Sequence, residues 1–94
     1  MQKKGNDTKI QLTAQIRHRA VEEEGVLIHL DNGRVIVVNE VGLFIVQQLD
    51  MPVTPKELTA AIAGEFDIST DQAAKDLEKF LAELDAEQAI ERSQ

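Results

Sequence analysis

The sequence predicts an α+β domain of winged helix-turn-helix type: a three-stranded antiparallel sheet followed by three helices. Three observations carry that expectation. Apolar and polar residues alternate near the N-terminus and lead into a hairpin signal, Asp31-Asn32-Gly33, set between two apolar runs. From Asn39 onward the apolar spacing becomes helical, and three helix starts carry cap residues. A sheet that precedes three helices must bury one face on them.

Residues 1–9 are polar and without periodicity and are expected to form a disordered tail, with residues 10–94 as one domain. Ile10, Leu12, Ala14 and Ile16 alternate with polar residues. The first strand is placed at residues 15–22, with residues 10–14 as an extended lead-in. Glu22, Glu23, Glu24 and Gly25 then read as a charged, solvated turn.

The hairpin leaves two registers open. A two-residue loop, Asn32-Gly33, pairs Leu30 with Val35 and places His29 on the face of Ile36 and Val38. A three-residue loop, Asp31 to Gly33 with Gly33 left-handed, pairs Leu30 with Arg34. It groups Val26, Ile28, Leu30, Ile36 and Val38 on the core side, opposite Leu27, His29, Val35 and Val37. One residue of slip exchanges the two faces. The three-residue loop is favoured because it keeps a histidine out of the core.

Asn39 caps a helix over residues 40–49, with Val41, Phe44, Ile45 and Leu49 at helical spacing. Thr54, Pro55 and Glu57 supply an N-cap, a first-turn proline and a capping box for the second helix, whose stripe is Leu58, Ala61, Ile62 and Phe66. Ser69 and Gln72 read as a second capping box. The third helix runs to about Ala86, with Ala73, Leu77, Phe80, Leu81 and Leu84 on one face and Ile90 packing back beyond its end.

Composition removes most chemistry. The chain has 94 residues, 3% aromatics and no cysteine, so its core is aliphatic and no disulfide, thiolate metal site or cysteine nucleophile can form. His18 and His29 fall on different strands without ligand spacing, which argues against a metal. Ser69 is a cap and Ser93 lies near the terminus, neither with an activating base placed by the sequence. No catalytic residue and no cofactor site is expected. No apolar run approaches a membrane span, and a cytosolic location is the default.

The net charge of −7 opposes nucleic acid. The third helix carries Asp71, Asp76, Glu78, Glu83, Asp85 and Glu87 against Lys75 and Lys79. A recognition helix of that charge is expelled from a major groove, so a DNA-reading function does not follow from the fold class. What remains is the third strand, residues 34–38. It stands at a sheet edge with Val, Ile, Val and Val and no blunting lysine or proline, an invitation to β-augmentation by a peptide. The alternatives are cover by residues 10–14 or by a second copy of the chain.

The runs GVLIHLDNGRVIVVNEVGLFIVQQLD, TPKELTAAIAGEFDIS and AAKDLEKFLAELDAEQAI together resemble the PqqD-like family over residues 17–90. The resemblance rests on Gly33, the Asn39–Gly42 run NEVG, Leu58, Phe66, and Asp76, Leu77, Phe80, Leu81 and Leu84 in order and spacing. It implies a peptide chaperone that binds the leader of a ribosomally made precursor and presents it to a modifying enzyme, a radical SAM protein in pyrroloquinoline quinone biosynthesis. Carried onto this chain, the leader would lie along Arg34, Val35, Ile36, Val37 and Val38, walled by Asp76, Lys79, Phe80 and Glu83. The leftover apolar face, Leu27, Val35 and Val37, would meet the partner enzyme or a second copy. A homodimerising interaction module and a degenerate winged-helix regulator are the rival expectations.

Overall fold

The computed structural model describes residues 8–93. In chain order they form β1 (Lys9–Leu12), β2 (Ile16–Val21), β3 (Glu24–His29), β4 (Val35–Val38), α1 (Glu40–Gln48), α2 (Pro55–Phe66), α3 (Thr70–Ala86) and β5 (Ile90–Ser93). The predicted order of three strands and three helices is present, flanked by a strand at each end. Residues 1–7 of the expected tail lie outside the described residues, but Lys9 does not belong to a tail: it opens β1.

The helix starts follow their cap chemistry. The Asn39 side chain accepts the Gly42 N–H at 2.9 Å. Thr54 and Glu57 satisfy each other's backbone N–H groups at 3.1 and 2.9 Å, a complete capping box ahead of Pro55. Ser69 accepts the Gln72 N–H, but Gln72 turns away to Asp76 at 2.9 Å, so only half of the second expected box forms. Gln72 reaches a carboxylate one turn on, and the Ser69 N–H is not its partner.

β2, β3 and β4 form an antiparallel sheet in that order, and β1 pairs with β5 in a separate two-stranded ribbon. The lead-in expected at residues 10–14 is therefore partly a strand, with Ile10 and Leu12 buried. It covers the β5 side and not the β4 edge. β5, with Ile90 as its only buried residue, has too little periodicity to be read from sequence.

The hairpin loop is longer than either register considered. His29 donates its N–H to the Arg34 carbonyl at 2.9 Å and accepts from the Gly33 N–H at 2.8 Å, leaving Leu30 to Gly33 as a four-residue loop with Gly33 at φ 74. Leu27 pairs with Ile36, and Ile28 with Val35. The core face is thus Gly25, Leu27, His29, Ile36 and Val38, reversing the favoured assignment of Val26, Ile28 and Leu30. His29 is tolerated inside, 4% exposed, because both ring nitrogens are satisfied. Nδ1 accepts the Asp31 N–H at 3.3 Å and Nε2 lies 3.2 Å from the Gln88 carbonyl, which selects the tautomer with its proton on Nε2.

Leu27 sits at the centre of the core, fully enclosed with Ile45, Val46, Leu49, Leu58, Ile62 and Leu84. Phe44 and Phe66 meet edge to face at 5.5 Å between α1 and α2. No helix among the described residues is long and apolar enough to cross a membrane.

Candidate functional site

The ladder between β3 and β4 decides which backbone groups are free. In an antiparallel pair, hydrogen-bonded and non-hydrogen-bonded positions alternate. His29 and Arg34 share a hydrogen bond, so the next bonded positions are Leu27 with Ile36 and Gly25 with Val38. The N–H and C=O groups of Val35 and Val37 therefore point away from β3. No strand among the described residues pairs with them. β2 is the sheet's other edge, but it is charged with Arg17 and Arg19, and Arg17 folds over the backbone to donate to the Ala14 carbonyl at 2.8 Å.

Beside the β4 end lies a cleft of about 300 Å³ lined by Asn39, Val41, Gly42 and Ile45 from one side and Asp76, Lys79, Phe80 and Glu83 from α3. The four helix residues that the family resemblance implied all line this one cleft. The wall contributed by the start of α1 is an addition. Its readable signal was Gly42 in the first turn of a helix, a position that gains nothing from glycine unless another group approaches closely. A Cβ there would stand 2.8 Å from the Val38 Cβ and 3.0 Å from the Phe80 ring. Gly42 thus lets the strand end, α1 and the Phe80 ring share the cleft floor. Gly42→Ala forces both neighbours to move and is expected to cost about 1–3 kcal/mol in urea unfolding, with Phe80 ring resonances displaced in NMR spectra.

Arg34, expected at the start of the groove strand, is engaged by an acidic partner from the end of α3. Its Nε and Nη2 donate to the two Glu87 carboxylate oxygens at 2.7 and 2.8 Å, joining the start of β4 to the C-cap of α3. The Arg34 hydrogen bonds, reinforced by its charge, hold the Glu87 carboxyl below the usual carboxylate range. A depressed folded-state value contributes stability above the unfolded value, which is lost as pH falls through the folded one. The strand-to-helix tie is therefore expected to persist at neutral pH and to open only below the ordinary carboxylate range. The Arg34 Nε–H resonance, followed through an acid titration, reads that opening.

Leu27 is corrected outright. It is fully buried on the core side, whereas Val35 and Val37 are 60% and 61% exposed on the opposite face. The three do not form one surface. Among the described residues no group of three or more histidines, cysteines or carboxylates could hold a metal ion. His18 pairs with Asp50 at 2.8 Å, remote in sequence from His29 and its Gln88 partner.

The family described as coenzyme PQQ synthesis protein D (PqqD) matches residues 24–90. No curated protein sequence matches the chain. Among solved structures, TbiB1 in complex with the TbiA(beta) leader peptide is similar at 26% identity and a TM-score of 0.78, over 86% of this chain and 94% of that one. The solution NMR structure of the PqqD truncation of Methylobacterium extorquens PqqCD, described as a functional, stand-alone recognition element for ribosomally synthesised and post-translationally modified peptides, has the same fold. It is 19% identical with a TM-score of 0.75, over 94% of this chain and 93% of that one.

Proposed function

The chain belongs to the PqqD family, and from that premise we propose that it binds the leader of a ribosomally made precursor peptide as a fourth strand on β4 and presents it to a modifying enzyme. The family is a non-catalytic peptide-binding module. One observation carries the placement: the unpaired backbone of Val35 and Val37 runs beside the cleft floored by Gly42 and Phe80. Main-chain hydrogen bonds along such an edge give affinity, and alternate side chains of the added strand choose the sequence. Support also comes from TbiB1, which was solved with a leader peptide.

In this reading Val35 and Val37 offer their backbone, Ile36 and Val38 face the same side as the cleft, and Phe80 receives an apolar leader side chain. Asp76, Lys79 and Glu83 frame its rim. Arg34 acts by holding β4 against α3. The chain needs no cofactor of its own. The modifying enzyme is a radical SAM protein if the pathway is that of the family's description, and the site of action is cytoplasmic, where ribosomal precursors arise.

Calorimetric titration with a precursor leader tests the proposal. Binding is expected to be saturable with one leader per chain and to weaken little as salt rises, because apolar contacts and backbone bonds dominate. Steep loss of binding with salt would contradict it.

A further inference from the structure

An antiparallel sheet with one face on the core is expected to be polar on the other. This one is not. The register places Arg17, Ile28 and Val35 in one row across the outer face, Arg19, Val26 and Val37 in the next, and Val21 with Glu24 at the end of β2. Ile28 is 42% exposed and Val21 50%, and with Val35 and Val37 they account for four of the six exposed large hydrophobic residues. A shallow depression crosses the face between the two arginines, Val21, Val26 and Ile28. Contiguous apolar surface of roughly a few hundred Å² on a small monomer marks an interaction site.

Charge and position decide between occupants. A second copy brings another chain of net charge −7. The face carries two cations, Arg17 and Arg19, against one carboxylate, Glu24 at its end: Arg17 uses Nη1 for the Ala14 and Ile16 carbonyls, and Arg19 has no ionic partner among the described residues. It complements an apolar surface rimmed by carboxylates.

The face is also continuous with the β4 edge. In an added strand, alternate side chains point to each side of the sheet. Half of a bound leader's side chains would therefore lie beside Val35 and Val37 and widen the outer face from three strands to four.

We propose that the outer face of the β2–β3–β4 sheet is the docking surface for the enzyme that modifies the bound peptide, which meets it with an apolar patch whose rim carboxylates face Arg17 and Arg19. The inference rests on the strand-addition reading in one respect: the composite, four-stranded face exists only when the leader is bound. Recognition of chaperone and leader is then a single event, and the enzyme binds the loaded chain more tightly than the empty one.

Ile28→Thr and Arg19→Glu test this, since both lie away from the β4 edge and keep strand-compatible side chains. The measurements are the affinity of the purified modifying enzyme for the chain with and without precursor leader, the leader affinity of each variant, and sedimentation velocity of the free chain. Each variant is expected to lose at least tenfold in enzyme affinity with leader affinity unchanged within twofold. Unchanged enzyme affinity overturns the proposal. So does a wild-type dimer that Ile28→Thr converts to monomer, which assigns the face to a second copy. Absence of leader binding in the wild-type chain overturns the strand-addition reading and the composite surface, while enzyme binding to the empty chain still reports on the arginine-flanked face.

Discussion

Val37→Pro is expected to abolish most leader binding while leaving the fold in place. The Val37 N–H points out of the sheet at a free edge, so a proline there removes no bond to β3, and edge strands tolerate proline on that side. An added strand, however, loses a donor and is left with an unsatisfied carbonyl. Those two effects together amount to about 1.5–3 kcal/mol, or roughly ten- to a hundredfold in affinity. Unfolding free energy is expected to shift by no more than about 1 kcal/mol. Ile36→Pro supplies the contrast, because the Ile36 N–H faces β3 and its side chain packs against the core. That variant is expected to unfold the hairpin, visible as loss of dispersed amide signals. Equal leader binding by Val37→Pro and the wild-type chain would remove β4 as the site.

Leu27→Ala is expected to be the most destabilising of the conservative truncations on the sheet. Leu27 is fully buried in the aliphatic core, on the sheet face against which α1 packs, so its truncation leaves a cavity costing about 2–5 kcal/mol. Total stability for a chain this size is about 5–14 kcal/mol, so Tm falls markedly. Val37→Ala, one strand away on the outer face, is expected to change stability by no more than about 0.5 kcal/mol. Urea denaturation of the two variants is a direct check on the register. A slip of one residue in the hairpin would put Leu27 and Val37 on the same face, and the two truncations would then cost alike.

That register was the least legible part of the fold. The helices could be read because their starts are local chemistry: Asn39, the Thr54–Glu57 box and Ser69 each bond a backbone N–H within three residues. The hairpin strands were read from the Asp31-Asn32-Gly33 turn set between two apolar runs. Which face turns inward, however, depended on the loop holding four residues instead of three, and on a buried histidine. Polarity argued that His29 should face water. Its ring is satisfied by Asp31 nearby and by Gln88, fifty-nine residues along the chain, and no local rule supplies the second partner.

The same holds for the candidate site. Asp76, Lys79, Phe80 and Glu83 were implied by the family resemblance, since spacing alone did not say which flank of the helix faces the strand, and they line one cleft. The opposite wall of Asn39, Val41, Gly42 and Ile45, and the Glu87 partner of Arg34, follow only from tertiary packing. β5 was invisible because Ile90 is its single buried residue, and its pairing with β1 joins the two ends of the chain. That pairing also removes residues 10–14 as a cover for β4, which leaves the edge without a partner strand among the described residues.

The most direct measurement on the central claim is an amide NMR titration of the isotopically labelled chain with a precursor leader. Strand addition predicts the largest shifts at the Val35 and Val37 amides, with new protection from solvent exchange there, accompanied by smaller shifts along Asp76 to Glu83 and at Gly42. Saturating leader that leaves Val35 and Val37 unshifted, or that shifts only residues of β2 or α2, would contradict it.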